Sequence, residues 1–319
     1  MMLRQKIVFI LSVAALTTSR YVYYHGYVFP EYLHVFHAGS LTTPFERFAR
    51  EYMSAHPRVR VVCEPYGSRD VVRQVTELHK PCGVVGVSDY TVIIDLMFPQ
   101  YTGWYAVFAR NEMVIAYTEH SRYRNEINQD NWYEVLDRSD ITFGRSDPDA
   151  DPCGYRALMV WRLAERFYNN SAIYQSLRNR CPLPTRPRES ELTALMDAQQ
   201  LDYAFLYLSL AIQHQFEYVK LPDEINLGNP HLAPYYAQVN VSLSDGTLKE
   251  GEPIMYAITI PNNAPDENLA ADFVAFMLSE RRDILSECGQ PPVFPAVTNN
   301  KTAVPLTLQP YVIEEERLT

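Results

Sequence analysis

The stretch LHVFHAGSLTTPFERFAREYMSAH, residues 33–56, changes period at its middle. Up to Ala38 it is a short, mainly apolar run, which reads as a strand; His34 and His37 flank it and are taken as structural. Past Gly39 and Ser40, the apolar side chains Phe45, Phe48, Ala49 and Tyr52 fall on one helical face, and Pro44 suits a first helical turn. The change then recurs. VRVVCEPYG (59–67) is a strand, and SRDVVRQVTELH (68–79) is a helix with Val72, Val75 and Leu78 on one side. GVVGVSD (83–89) reads as a buried strand and YTVIIDLMF (90–98) as a short helix. Strand, helix, strand, helix, strand is the signature of a parallel sheet covered on both faces.

The remaining chain divides around that unit. YAVFARNEMVIAYTEHS (105–121) is long, apolar and extended, as a segment crossing between two lobes has to be. A second α/β set follows: strand DITFGRS (140–146), helices YRALMVWRLAERFY (155–168) and SELTALMDAQQ (190–200), and strand LDYAFLYLS (201–209). FEYVKLPDEINL (216–227) and PIMYAITIP (253–261) are extended again, and NLAADFVAFMLSERRDIL (268–285) is the last helix. The expected fold class is α/β with two lobes: residues 30–111 plus 217–319 form the first and 112–216 the second. A cleft between them is the natural ligand site.

Bulk properties narrow the function. A net charge of −10 with no basic block excludes a general nucleic-acid surface, but a pocket for a small anion depends on local dipoles instead. Residues 1–28 carry Arg4 and Lys6 before an apolar run from Ile7 to Leu16, which suits an export signal or membrane anchor and places the protein outside the cytoplasm. The five cysteines are odd in number and contain no C-x-x-C, which argues against a structural zinc. The nucleophile-elbow, zinc-protease and phosphate-loop motifs are all missing, so binding outranks catalysis and no cofactor is expected.

Two serines hold equivalent places. Ser40 and Ser68 each follow a glycine at the C-terminal edge of a strand, where a helix begins. Helix N-termini present unpaired N–H groups, so the pair suits an oxyanion cradle as well as plain capping. In SDPDADPCGYR (146–156) the aspartates Asp147, Asp149 and Asp151 alternate. A calcium loop starting at Asp147 needs glycine at its sixth position and glutamate at its twelfth, where this chain has Pro152 and Leu158. What remains is a turn leading into a helix N-terminus. Glu189 and Glu191 open another helix, where carboxylates are favoured in any case.

LHVFHAGSLTTPFERF, YGSRDVVRQVTEL, WYAVFARNEMVIAYT, DPCGYRALM and LPDEINLGNP together resemble the tungstate/molybdate-binding proteins of ABC uptake systems, in their archaeal-type branch, from about residue 33 to about 310. The resemblance implies a type II periplasmic-binding-protein fold whose two lobes hold the ligand between them. It implies that Gly39, Ser40 and Ser68 form oxyanion loops, that Cys153 offers a backbone N–H, and that Tyr207 is a hydroxyl donor. Asp151 and Glu189 are then carboxylate ligands to the metal of the anion; Glu189 lies eighteen residues before Tyr207, and Glu191 is its alternative. The implied partners are the tungstate or molybdate anion and a membrane permease, with the protein acting as a monomer. Rival readings are a phosphate- or sulfate-type receptor and a transferase on the same fold.

Overall fold

The computed structural model describes residues 30–279 and 281–314. The export-segment reading of residues 1–28 lies outside them. Strands β1 (Glu31–Ala38), β2 (Val59–Tyr66) and β3 (Val84–Val87) alternate with helices α1 (Thr42–Ala55), α2 (Ser68–Thr76) and α3 (Thr91–Met97), as the periodicity predicts. β1 pairs in parallel with both β2 and β3. Phe45, Phe48, Ala49 and Tyr52 are buried on α1, and Phe45 meets Phe48 edge to face. All four residues of β3 are buried, the pattern of a strand covered on both faces. Leu78 differs from expectation: α2 ends at Thr76, and Leu78 beyond it is 60% exposed.

The stretch 105–121 crosses between two sheets. β4 (Ala106–Arg110) belongs to a seven-stranded sheet and β5 (Met113–Tyr117) to a four-stranded one, with only Asn111 and Glu112 between. The large sheet also holds β11 (Met255–Thr259), β12 (Pro292–Thr298) and β13 (Val312–Glu314). β11 runs antiparallel to β3 and β4, so the sheet is mixed where the first unit alone suggested a parallel one. The returning chain re-enters it from the opposite end.

The small sheet has the order β6 (Phe143–Gly144), β7 (Tyr203–Tyr207), β5, β8 (Glu217–Lys220). Helices α4 (Trp132–Leu136), α5 (Pro152–Phe167), α6 (Ile173–Arg180) and α7 (Glu189–Asp197) lie between its strands in the chain. Trp132, Trp161, Phe143 and Phe205 pack edge to face in its core. β8 pairs with β5, so the small sheet extends past residue 216, where the sequence division closed the second lobe. β9 (Asn240–Ser242) and β10 (Leu248–Glu250) form a separate hairpin.

His37 on β1 is fully buried; its Nδ1–H donates to the Ala38 carbonyl at 2.8 Å and Nε2 has no partner. Burial lowers its pKa from 6.5 to about 4. The unfolded chain therefore takes up this proton first as the pH falls. The stability this neutral ring supports is complete above pH 6.5 and is lost between there and about 4, a difference of about 3 kcal/mol. Urea denaturation across that range should show a shallower acid limb for His37→Phe than for the parent. Equal limbs would exclude this residue as the source.

Candidate functional site

The register of the large sheet sets the site. Ala38 lies opposite Tyr66, so Gly39-Ser40 and Gly67-Ser68 leave β1 and β2 at the same level of the same edge. Ser40 sits in a single 3-10 turn, and Ser68 is the first residue of α2; both are fully buried. The Ser40 hydroxyl has no hydrogen-bond partner. The Ser68 hydroxyl accepts from Ser88 N at 3.0 Å and also pairs with Ser88 Oγ at 3.0 Å.

The second lobe closes on this edge through the two glycines. A Cβ on Gly67 would lie 2.2 Å from the Ala150 carbonyl oxygen, and one on Gly39 would lie 2.8 Å from Ser190 Oγ. Arg188 Nη1 donates to the Pro65 carbonyl at 3.0 Å, and Ser244 N to Asp149 Oδ1 at 2.8 Å. The residues before each serine are thus glycine because another backbone or side chain occupies the space of a Cβ.

Two carboxyl groups face the serines. Asp151 is the N-cap of α5, with Pro152 at the first position. Its Oδ1 accepts from Cys153 N at 3.2 Å, and its Oδ2 accepts from Glu189 N, the first residue of α7, at 2.7 Å. One side chain therefore ties two helix N-termini together. Glu189 is 1% exposed, and its Oε1 has no hydrogen-bond partner. Burial and the neighbouring Asp151 push its carboxyl well above the usual range. A buried carboxyl oxygen without a partner costs stability, and such groups concentrate at functional sites.

Tyr207, at the end of β7, completes the ring. It is fully buried, and burial pushes its hydroxyl well up, with Cys153, Glu189 and Asp151 close enough to add to the effect. Its Oη accepts from Arg156 Nη1 at 2.8 Å. Its own O–H hydrogen has no acceptor among the described residues and is free to donate. Arg156 also donates to the Ser88 carbonyl at 2.6 Å and lies 3.3 Å from Asp89, so this α5 cation reaches into the other lobe. Burial opposes its charge, but Tyr207 and Asp89 outweigh it and the pKa is raised. Asp89 also accepts from Tyr155 Oη and Thr91 N. Burial disfavours its charge as well, but Arg156 and Lys249 hold it ionised.

Removing Arg156 leaves Asp89 buried without its cation. Arg156→Met should cost about 3–5 kcal/mol of stability. Chemical denaturation checks this, and an unchanged midpoint would show that the pair contributes nothing net.

Of the residues selected from sequence, Ser40, Asp151, Glu189 and Tyr207 lie close together, with Gly67 packed against Asp151, while the Ser68 hydroxyl is engaged by Ser88. Glu191 does not: it is part-exposed and pairs with Arg188 at 2.6 Å. Cys153 N–H, expected to face the anion, is engaged by Asp151, and the thiol contacts the Phe205 carbonyl. Sequence reasoning missed Ser88, Asp89 and Arg156. Arg156 was visible as a cation immediately before the apolar run ALMVW (157–161), but nothing in sequence placed Asp89 beside it. Among the described residues, no cluster of three or more His, Cys, Asp or Glu side chains forms a preset cage for a free cation.

Comparison with known proteins agrees with the fold. Residues 33–289 match the family described as bacterial extracellular solute-binding protein, and the chain belongs to that family. A solute-binding protein of Petrotoga mobilis is 46% identical over 285 residues, covering 87% of this chain and 89% of that protein. The molybdate/tungstate-binding protein WtpA of Thermococcus kodakarensis is 41% identical over 277 residues, 77% of each chain. Among solved structures, the periplasmic molybdate-binding protein of Azotobacter vinelandii superposes with a TM-score of 0.59 at 17% identity, over 81% of this chain and 98% of that one. The last likeness concerns the fold alone. The chain is a two-lobed solute-binding protein and not an enzyme.

Proposed function

We propose that this protein captures tungstate or molybdate between its lobes, outside the cytoplasm, and delivers it as a monomer to the permease of an ABC importer. Asp151 and Glu189 supply two oxygens to the metal, raising it from four to six ligands. Ser40, Ser68 and Tyr207 hold the oxo atoms through hydroxyl donors, together with the N–H groups at the helix ends.

The observation that carries this reading is the pairing of Glu189 and Asp151 beside the hydroxyls of Ser40 and Tyr207. A dianion set against carboxylates in a poorly hydrated cleft is repelled by several kcal/mol. Bonding to the centre of the anion reverses that sign. Tungsten(VI) and molybdenum(VI) expand their coordination readily, whereas sulfur(VI) and phosphorus(V) in their stable tetraoxyanions do not. The same two acids then favour the wanted anions and repel sulfate. The names of the relatives from Thermococcus kodakarensis and Pyrococcus abyssi support the same ligand class.

Calorimetric titration with tungstate, molybdate, sulfate and phosphate tests the proposal. The first two should bind at least about 1,000-fold more tightly than the others, a gap of about 4 kcal/mol. A second reading draws on the raised Glu189 carboxyl, which in its protonated form donates to an oxyanion instead of repelling it. Phosphate or sulfate binding as tightly as tungstate would favour that reading and remove the first.

A further inference from the structure

The second lobe carries a group of cations unrelated to the cleft. A cavity of about 490 Å³ is bordered by Arg145, Arg162 and Arg178, by the turn Asp147–Asp149, and by Ser244 of the hairpin loop. None of the three arginines has a carboxylate partner among the described residues. Arg145 is 1% exposed, and its guanidinium reaches only two main-chain carbonyls, Ser146 at 3.2 Å and Pro182 at 3.5 Å, while Nε has no partner. Arg162 Nε is also unpartnered, and its guanidinium lies over the Tyr174 ring at 4.7 Å. Burial lowers the Arg145 pKa and Arg178 lowers it further, so the two cations are close enough to repel each other.

The two acids on the wall answer this charge only in part: Asp147 is near enough to favour the Arg145 cation, but neither acid forms an ion pair with an arginine. Asp147 Oδ1 accepts from Asp149 N at 3.0 Å, and Asp149 Oδ1 accepts from Ser244 N at 2.8 Å. They form the turn and hold the hairpin. The wall therefore carries three arginines against two carboxylates engaged in the turn and the hairpin, and one of those arginines is buried without a carboxylate partner. Burying a guanidinium in that state is costly unless an anion completes it.

We propose that this cavity is a second ligand site, specific for a phosphate monoester. The guanidinium fork matches phosphate oxygens two at a time, and three forks suit a doubly charged group better than a single carboxylate. The organic part lies against Leu183, Pro184 and the Tyr174 ring. Its turn ends at Ala150, next to Asp151, and Asp245 of the hairpin loop pairs with Arg69 of the first lobe at 2.6 Å. The ligand thus sits behind the loop that places the α5 cap.

Thermal melting and calorimetry with glycerol 3-phosphate test the site at fixed ionic strength, using sodium chloride as the control. The ester should raise the midpoint of the parent protein. Arg178 is only part-buried, so Arg178→Ala should fold, and it should bind the ester at least about tenfold more weakly, about 1.4 kcal/mol. An equal midpoint shift in parent and variant places the ester elsewhere, the cleft included, and overturns the proposal. So does a parent that responds no more than it does to chloride. Vesicles containing phosphatidic acid present the same group on a membrane; Arg178-dependent co-sedimentation would identify a lipid source, and binding only in solution a soluble one. The site stands or falls independently of the cleft ligand, because the test uses neither tungstate nor molybdate.

Discussion

Glu189→Gln is expected to lower tungstate affinity by about 100-fold or more while leaving the empty protein at least as stable as the parent. Glutamine matches the volume and hydrogen-bonding shape of the protonated carboxyl, the form that burial and Asp151 favour. Folding therefore loses nothing. Ligand binding loses a donor to the metal, and losing one member of a desolvated ionic contact costs about 2–5 kcal/mol. The pH dependence sharpens this. A carboxyl raised above its ordinary value of 4.5 contributes stability that is complete below that value and lost as the pH rises toward the folded-state pKa. The ligand-free variant should thus gain on the parent as the pH climbs from about 4.5 to neutrality. Melting curves and calorimetry on the same samples read both effects. Parent-like tungstate affinity in the variant would end the proposed role of Glu189.

The second large effect belongs to Gly67→Ala. Gly67 has φ −68° and ψ 148°, a backbone setting that alanine adopts freely, so the first lobe should fold unchanged. The obstacle is the Ala150 carbonyl, whose oxygen would lie 2.2 Å and whose carbon 3.0 Å from the new methyl. A main-chain group tied to the Asp151 cap cannot move aside by the ångström or more this requires. The variant should remain open in the presence of ligand and bind tungstate at least about 100-fold more weakly, since closure supplies half of the ligand's contacts. Small-angle scattering with and without tungstate should show compaction in the parent and none in the variant. Compaction in both would mean that the interface between lobes yields more easily than its geometry indicates.

Much of this was legible in the sequence because it depends on local pattern. The period change after Ala38, repeated after Tyr66, fixes two strand-to-helix turns, and the glycine-serine pair marks their level. The turn and helix start at DPCGYR were legible, but the cap that Asp151 provides there was not read from it. Long-range pairing was not. The antiparallel entry of β11 depends on where the chain re-enters, not on its own residues. Arg156 joins Asp89 across 67 positions of sequence, with no periodic signal to connect them. Glu189 and Glu191 differ in which side of α7 they take: Glu189 is buried, while Glu191 pairs with Arg188 on the outside. Cys153 illustrates a local ambiguity: a free N–H at a helix start and one taken by the cap have the same sequence.

The Arg156 bridge also bears on how quickly a solute is taken up. The guanidinium holds Ser88 and Asp89 of one half while rooted in the other, a contact made by protein atoms alone. Two halves that grip each other through their own side chains need less work from the cargo to shut. They also admit it only during their own excursions apart. Uptake should then level off at high solute concentration, at the frequency of those excursions, giving a slow, tenacious scavenger for a scarce anion.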